Sequence, residues 1–116
     1  MSSMYIRTKD GIYKVESETC HKQGYYIDRY EEDVILKDQV IKQSENIEEL
    51  CDEFVVFDKE QPNGKLLYYK GFENLKKEFI DFEKDKEKVV VYGAIWTDKG
   101  LIYVVKMDDK GDLELI

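Results

Sequence analysis

Cys20 and His21 are adjacent, and His21 is the chain's single histidine, so the first chemistry to weigh is a thiolate activated by an imidazole. Successive residues of an extended segment point to opposite faces, which parts the thiol from the ring. The pair reads instead as a surface loop residue beside a small buried thiol. The second cysteine, Cys51, falls on an apolar stripe and reads as packing. One histidine and two cysteines cannot fill a structural zinc site within one chain, and two cysteines are too few for a disulfide framework. Asp108-Asp109-Lys110-Gly111-Asp112 has the look of a calcium loop but lacks its ligand spacing and its distant bidentate glutamate, so it reads as a turn. Glu31-Glu32-Asp33 reads the same way. There is no glycine-rich phosphate loop, and among 26 acidic residues nothing marks out a pair for acid–base work. No catalytic residue, metal ligand or cofactor is assigned, and the chain is read as not an enzyme.

Charge is the feature left over. The net charge is −8, and residues 31–60 hold eleven acidic side chains against Lys37, Lys42 and Lys59. A one-sign field of that kind steers cationic partners and repels polyanions. Nucleic acid is excluded as a partner on this ground, because counterion release needs a Lys/Arg surface. Tyr25-Tyr26 and Tyr68-Tyr69 could each turn one ring outward, but stacking platforms for single strands sit in basic grooves. The partner-binding candidates are Glu45, Glu48, Glu49 and Asp52, with a basic protein as the partner.

Those residues need elements to position them. Ile47, Leu50, Cys51 and Phe54 fall at i, i+3, i+4 and i+7, which predicts a short amphipathic helix. Its cap is Asn46, with Glu49 completing a capping box, or else Ser44. The outer face then shows Glu45, Glu48, Glu49 and Asp52, with Glu53 a further candidate at its end. Phe72, Leu75, Phe79 and Phe82 predict a second amphipathic helix. Strand-like runs supply the rest. Tyr5-Ile6-Arg7 and residues 12–15 flank the turn Lys9-Asp10-Gly11, and residues 25–30 form the next strand. Residues 34–36 and 40–41 give one or two short strands, and residues 54–57 and 66–69 two more. Residues 89–107, rich in β-branched and aromatic side chains, fold about Asp98-Lys99-Gly100 as a hairpin too apolar to be wet on both faces. Leu113-Glu114-Leu115-Ile116 closes the chain. The expected fold class is α+β: a curved, mainly antiparallel β-sheet packed with two short amphipathic helices, in a single domain spanning residues 1–116.

No apolar run approaches the ~20 residues that cross a bilayer, and the start at Met1 or Met4 leads into a strand without a secretory pattern. A cytoplasmic setting with reduced cysteines follows. The stretch Ile41-Lys42-Gln43-Ser44-Glu45-Asn46-Ile47-Glu48-Glu49-Leu50-Cys51-Asp52-Glu53-Phe54-Val55-Val56 and residues 92–116 resemble small uncharacterised proteins encoded in phages and prophages of Gram-positive, Firmicute-type bacteria. The opening Met4-Tyr5-Ile6-Arg7-Thr8-Lys9-Asp10-Gly11-Ile12-Tyr13 extends the resemblance over most of the chain. It implies a bacterial host cell and an accessory role, and assigns no functional residue. The expected function is therefore a non-enzymatic accessory protein binding a protein partner through the acidic 31–60 region. The alternatives are a small-molecule or nucleotide-binding module, an enzyme with its site at an oligomer interface, and a homo-oligomer joined through strand edges.

Overall fold

The computed structural model describes residues 3–21, 23–60, 63, 66–78 and 87–116. Its contacts divide the chain into two compact units, Met1–Leu50 and Cys51–Ile116.

The first unit is built on short strands. Strands β1 (Tyr5–Arg7) and β2 (Ile12–Lys14) pair antiparallel with Ile6 opposite Tyr13, as their apolar alternation predicts. The turn between them is closed by Thr8, whose amide donates to Gly11 O at 2.9 Å and whose hydroxyl accepts from the Asp10 amide. A second sheet joins β3 (Ser17–Glu18), β4 (Gly24–Tyr26) and β5 (Val34–Leu36), again antiparallel. Strand β6 (Lys42–Ser44) returns to pair with β1, where the sequence pattern had placed strand at residues 40–41. Lys37–Gln39 forms a 3-10 turn instead. Ile6, Tyr25 and Ile35 make the buried core of this unit, with Val15, Ile27 and Val40 packed against it.

The second unit holds a five-stranded antiparallel sheet in the order β11-β10-β9-β7-β8. Its members are β7 (Glu53–Asp58), β8 (Leu66–Tyr69), β9 (Val89–Thr97), β10 (Gly100–Met107) and β11 (Leu113–Leu115). The hairpin of β9 and β10 is the one the β-branched runs predicted. Helix α1 (Phe72–Glu78) packs on one face through Leu75 and Phe72, against Phe54, Val56, Val89 and Val91. The rings of Phe54 and Phe72 lie 5.2 Å apart.

The expected fold class needs correction. Strand accounts for 47 % of the structure, in three sheets rather than one, and α1 is the only α-helix among the described residues. The helix expected across Ile47, Leu50, Cys51 and Phe54 is a single 3-10 turn, Ile47–Leu50. The Asp52 amide donates to Ala94 O at 2.9 Å, which draws the chain into the sheet, and Phe54 is already a strand residue opposite Gly93. A helical spacing of four residues is too short to outweigh that pairing. Of the second expected helix, Phe72 and Leu75 lie on α1, while Phe79 and Phe82 lie outside the described residues.

Candidate functional site

Glu45, Glu48 and Glu49 belong to the first unit and Asp52 to the second. Glu45 and Glu49 are exposed, and Glu48 and Asp52 half-buried. Two of the four are occupied by their own fold. The Ser44 hydroxyl donates to Glu49 Oε2 at 2.5 Å and accepts from the Asn46 amide at 3.0 Å. The Ser44 hydroxyl thus closes a turn on the Asn46 amide just ahead of the 3-10 turn, while Asn46 O accepts from the Glu49 amide. The Ser44 hydroxyl above all, then the Asn46 side chain and the charge of Lys42, hold the Glu49 carboxyl below its ordinary value. Asp52 Oδ2 accepts from the Trp96 amide at 2.7 Å, a bond across 44 residues. That carboxylate fastens the entry of β7 to the outer end of β9.

Of the other carboxylates of the acidic stretch, Glu53 and Asp58 lie on β7 and the rest lie in turns and loops. Asp28 organises one of them: its carboxylate accepts from the amides of Tyr30, Glu32 and Asp33, the last at 2.8 Å. Glu31 sits at the apex with φ 57°, and Glu31, Glu32 and Asp33 all face solvent. Asp108 does the same at the other end of the chain, accepting from the amides of Lys110 and Asp112. The Asp112 amide is the main reason its carboxyl is held below the ordinary value. Among the described residues no three of His, Cys, Asp or Glu are grouped to hold a metal.

Cys20 and His21 lie in the turn between β3 and β4, both exposed. Thr19 shapes that turn, its hydroxyl accepting from the Gln23 and Gly24 amides. Cys51 packs against the core of the second unit. A groove of about 510 Å³ in the first unit is lined by Tyr13, Val34, Ile41, Lys9, Asp38 and Gln39.

The face of the five-stranded sheet turned away from α1 is the surface that sequence reasoning missed. Register sets Tyr68, Val55, Tyr92, Lys106 and Glu114 in one row across all five strands. Trp96 lies four residues along β9 from Tyr92, and Tyr103 lies opposite Ala94. Tyr68 and Trp96 are each 56 % exposed and Tyr103 44 %. The Tyr92 and Tyr103 rings stack at 5.1 Å, and Lys106 Nζ lies 5.9 Å from the Tyr92 centroid. Of the tyrosine pairs noted in the sequence, Tyr68 joins this face and Tyr69 packs toward α1, whereas Tyr25 is buried. The signal was present in the alternation Val90, Tyr92, Ala94, Trp96 of β9.

No family model matches the chain, and no curated protein or solved structure matches it.

Proposed function

We propose that the chain is a non-enzymatic accessory protein of phage or prophage type, working in the bacterial cytoplasm, that binds a basic protein through its acidic 31–60 stretch. The observation supporting this reading is that Glu31, Glu32, Asp33, Asp38, Glu45 and Glu49 all face solvent within one small unit. Only Lys37 and Lys42 accompany them between residues 31 and 50. Exposed charges of one sign act together as a steering field, and their attraction is screened over about 10 Å at 0.1 M salt.

The test replaces Glu31, Glu32, Glu45 and Glu48 by glutamine. Glu49 and Asp52 are left in place because their carboxylates bond within the fold. Capture of a partner from a bacterial lysate should be lost, and capture by the unaltered chain should fall steeply with salt. Capture that survives all four substitutions would refute the proposal. The groove beside Tyr13 favours a second reading, a small-molecule site, since its volume falls in the usual range of about 300–1,000 Å³ and Lys9, Asp38 and Gln39 supply polar groups. Binding of a small metabolite that Tyr13→Ala abolishes, with the glutamine variant unaffected, would decide for it.

A further inference from the structure

We propose that the aromatic face of the five-stranded sheet is the docking surface for an extended Arg- or Lys-rich segment of the partner. Cations four residues apart in that segment stack on Tyr92 and Trp96. This rests on the reading of the chain as a binder of a basic protein, and it adds a further contact on the second unit.

The composition of the face selects the occupant. Tyrosine and tryptophan are the side chains enriched where protein partners dock, because they give large contact area and a polar tip at little entropic cost. Here Tyr68, Trp96 and Tyr103 stand exposed on one sheet face, while α1 covers the other. The charged strand residues on the same face are Glu53, Glu114 and Lys106. An aromatic surface with an excess of carboxylate attracts cations, through the ring quadrupole and through Coulomb attraction together. The chain already uses one ring this way, since Lys106 Nζ lies over Tyr92. A polyanion is repelled by a chain of net charge −8.

Spacing narrows the segment further. At about 3.3 Å per residue, Tyr92 and Trp96 lie roughly 13 Å apart along β9, and an extended peptide spaces its own residues i and i+4 by the same length. Such side chains also share one face of the peptide, whereas i and i+3 point to opposite faces.

The probe is a synthetic threonine- and valine-rich peptide with two arginines four positions apart, titrated into the full chain and followed by ring resonances in NMR. Shifts should centre on Tyr68, Tyr92, Tyr103 and Trp96. Trp96→Ala should weaken binding about five-fold, and Tyr68→Ala, on the exposed edge strand, about two-fold. Lys106→Gln should tighten it about two- to five-fold by vacating the Tyr92 ring and removing a like charge. Arginines three positions apart should bind more weakly. Affinity unchanged in both alanine variants, or not improved by Lys106→Gln, overturns the proposal. If those variants are silent while the four-glutamine variant abolishes binding, the partner reading stands and this surface falls. If the peptide binds nowhere, this surface falls, and the partner reading is decided by lysate capture with the four-glutamine variant. Ring shifts that grow with chain concentration alone, or a single-stranded oligonucleotide binding more tightly than the peptide, also overturn it.

Discussion

Gly93 is a position where the second unit leaves no room for a side chain. It lies on β9, on the face covered by α1, opposite Phe54 on one side and Val105 on the other. A Cβ added there would stand 2.6 Å from Cys51 Sγ, 3.0 Å from Val105 Cβ and 3.4 Å from Phe54 Cε1. Ordinary non-bonded contact begins near 3.5 Å, so the sulfur must move by about 1 Å. The Cys51 side chain packs against the buried cluster of Phe54, Val56, Leu75, Val89 and Val91, so turning its sulfur aside gives up those contacts. Overpacking of this kind costs about 1–3 kcal/mol, and the smaller backbone entropy of the unfolded Ala chain returns about 0.4–1 kcal/mol. Gly93→Ala should therefore destabilise by about 1–2 kcal/mol, roughly 4 °C of Tm per kcal/mol at this chain length. Urea titration read by fluorescence suits the test, since Trp96 is the only tryptophan and lies on the same strand. The mechanism is isolated by Cys51→Ala. With the sulfur gone, the same Gly93→Ala change should cost at least about 0.5–1 kcal/mol less than it does in the unaltered chain. Two independent sites add to within about 0.3–0.5 kcal/mol. Strict additivity of the pair, or a Gly93→Ala variant as stable as the parent, would refute the steric argument.

Three further outcomes follow from the hydrogen bonds. The Tyr69 hydroxyl donates to Glu78, and burial first, then that bond and the charges of Glu78 and Asp58, push its phenol from 10.0 to about 12. The folded form holds this proton more tightly than the unfolded form, so the contribution to stability is complete below about pH 10 and is lost as pH rises toward 12. Glu78→Gln should bring the Tyr69 ring-carbon titration back toward its ordinary value; a titration unmoved by that change would rule out the Glu78 contribution. Asp108 has the opposite sign: its carboxyl is held low, so its stabilisation is present above the ordinary carboxylate range and disappears as pH falls through the folded value. The stability gap between the parent and Asp108→Asn should narrow on acidification, and a gap independent of pH would count against it. Asp28→Ala removes the acceptor for three amides and should cost about 1–2 kcal/mol, with faster hydrogen exchange at Tyr30, Glu32 and Asp33; unchanged exchange there would show that the turn is held by something else.

Much of the strand content is legible because it is local. Ile6 and Tyr13 alternate with polar neighbours around a glycine turn, and the runs in β9 and β10 are β-branched on either side of Asp98-Lys99-Gly100. The helix expected at Ile47 fails for a reason outside its own window: the amide of Asp52 finds a carbonyl on β9, and strand pairing captures Phe54. Asp52 itself shows the same limit in the candidate site. Its charge belongs to a visible acidic run, but its role is fixed by the Trp96 amide 44 residues away. Charge accumulates along a sequence and can be summed there, whereas a hydrogen-bond partner is found only after folding.

The aromatic face depends on such a long-range fact at one further point. Tyr103 and Lys106 are three residues apart on β10, and in a regular strand they would occupy opposite faces. The pairing with β9 shifts between Tyr103 and Val105, so Tyr103 lies opposite Ala94 while Lys106 lies opposite Tyr92. Ala94 and Tyr92 share a face, and the bulge therefore brings Tyr103 and Lys106 to the same side, both within reach of the Tyr92 ring. Strict alternation read from the sequence splits this group in two and finds only scattered tyrosines. One residue of β10 with no partner on β9 is what assembles them; deleting Val104 leaves Tyr103 and Lys106 two apart in a regular strand, so the stacked rings should persist, and their separation in that variant would refute this reading of the register.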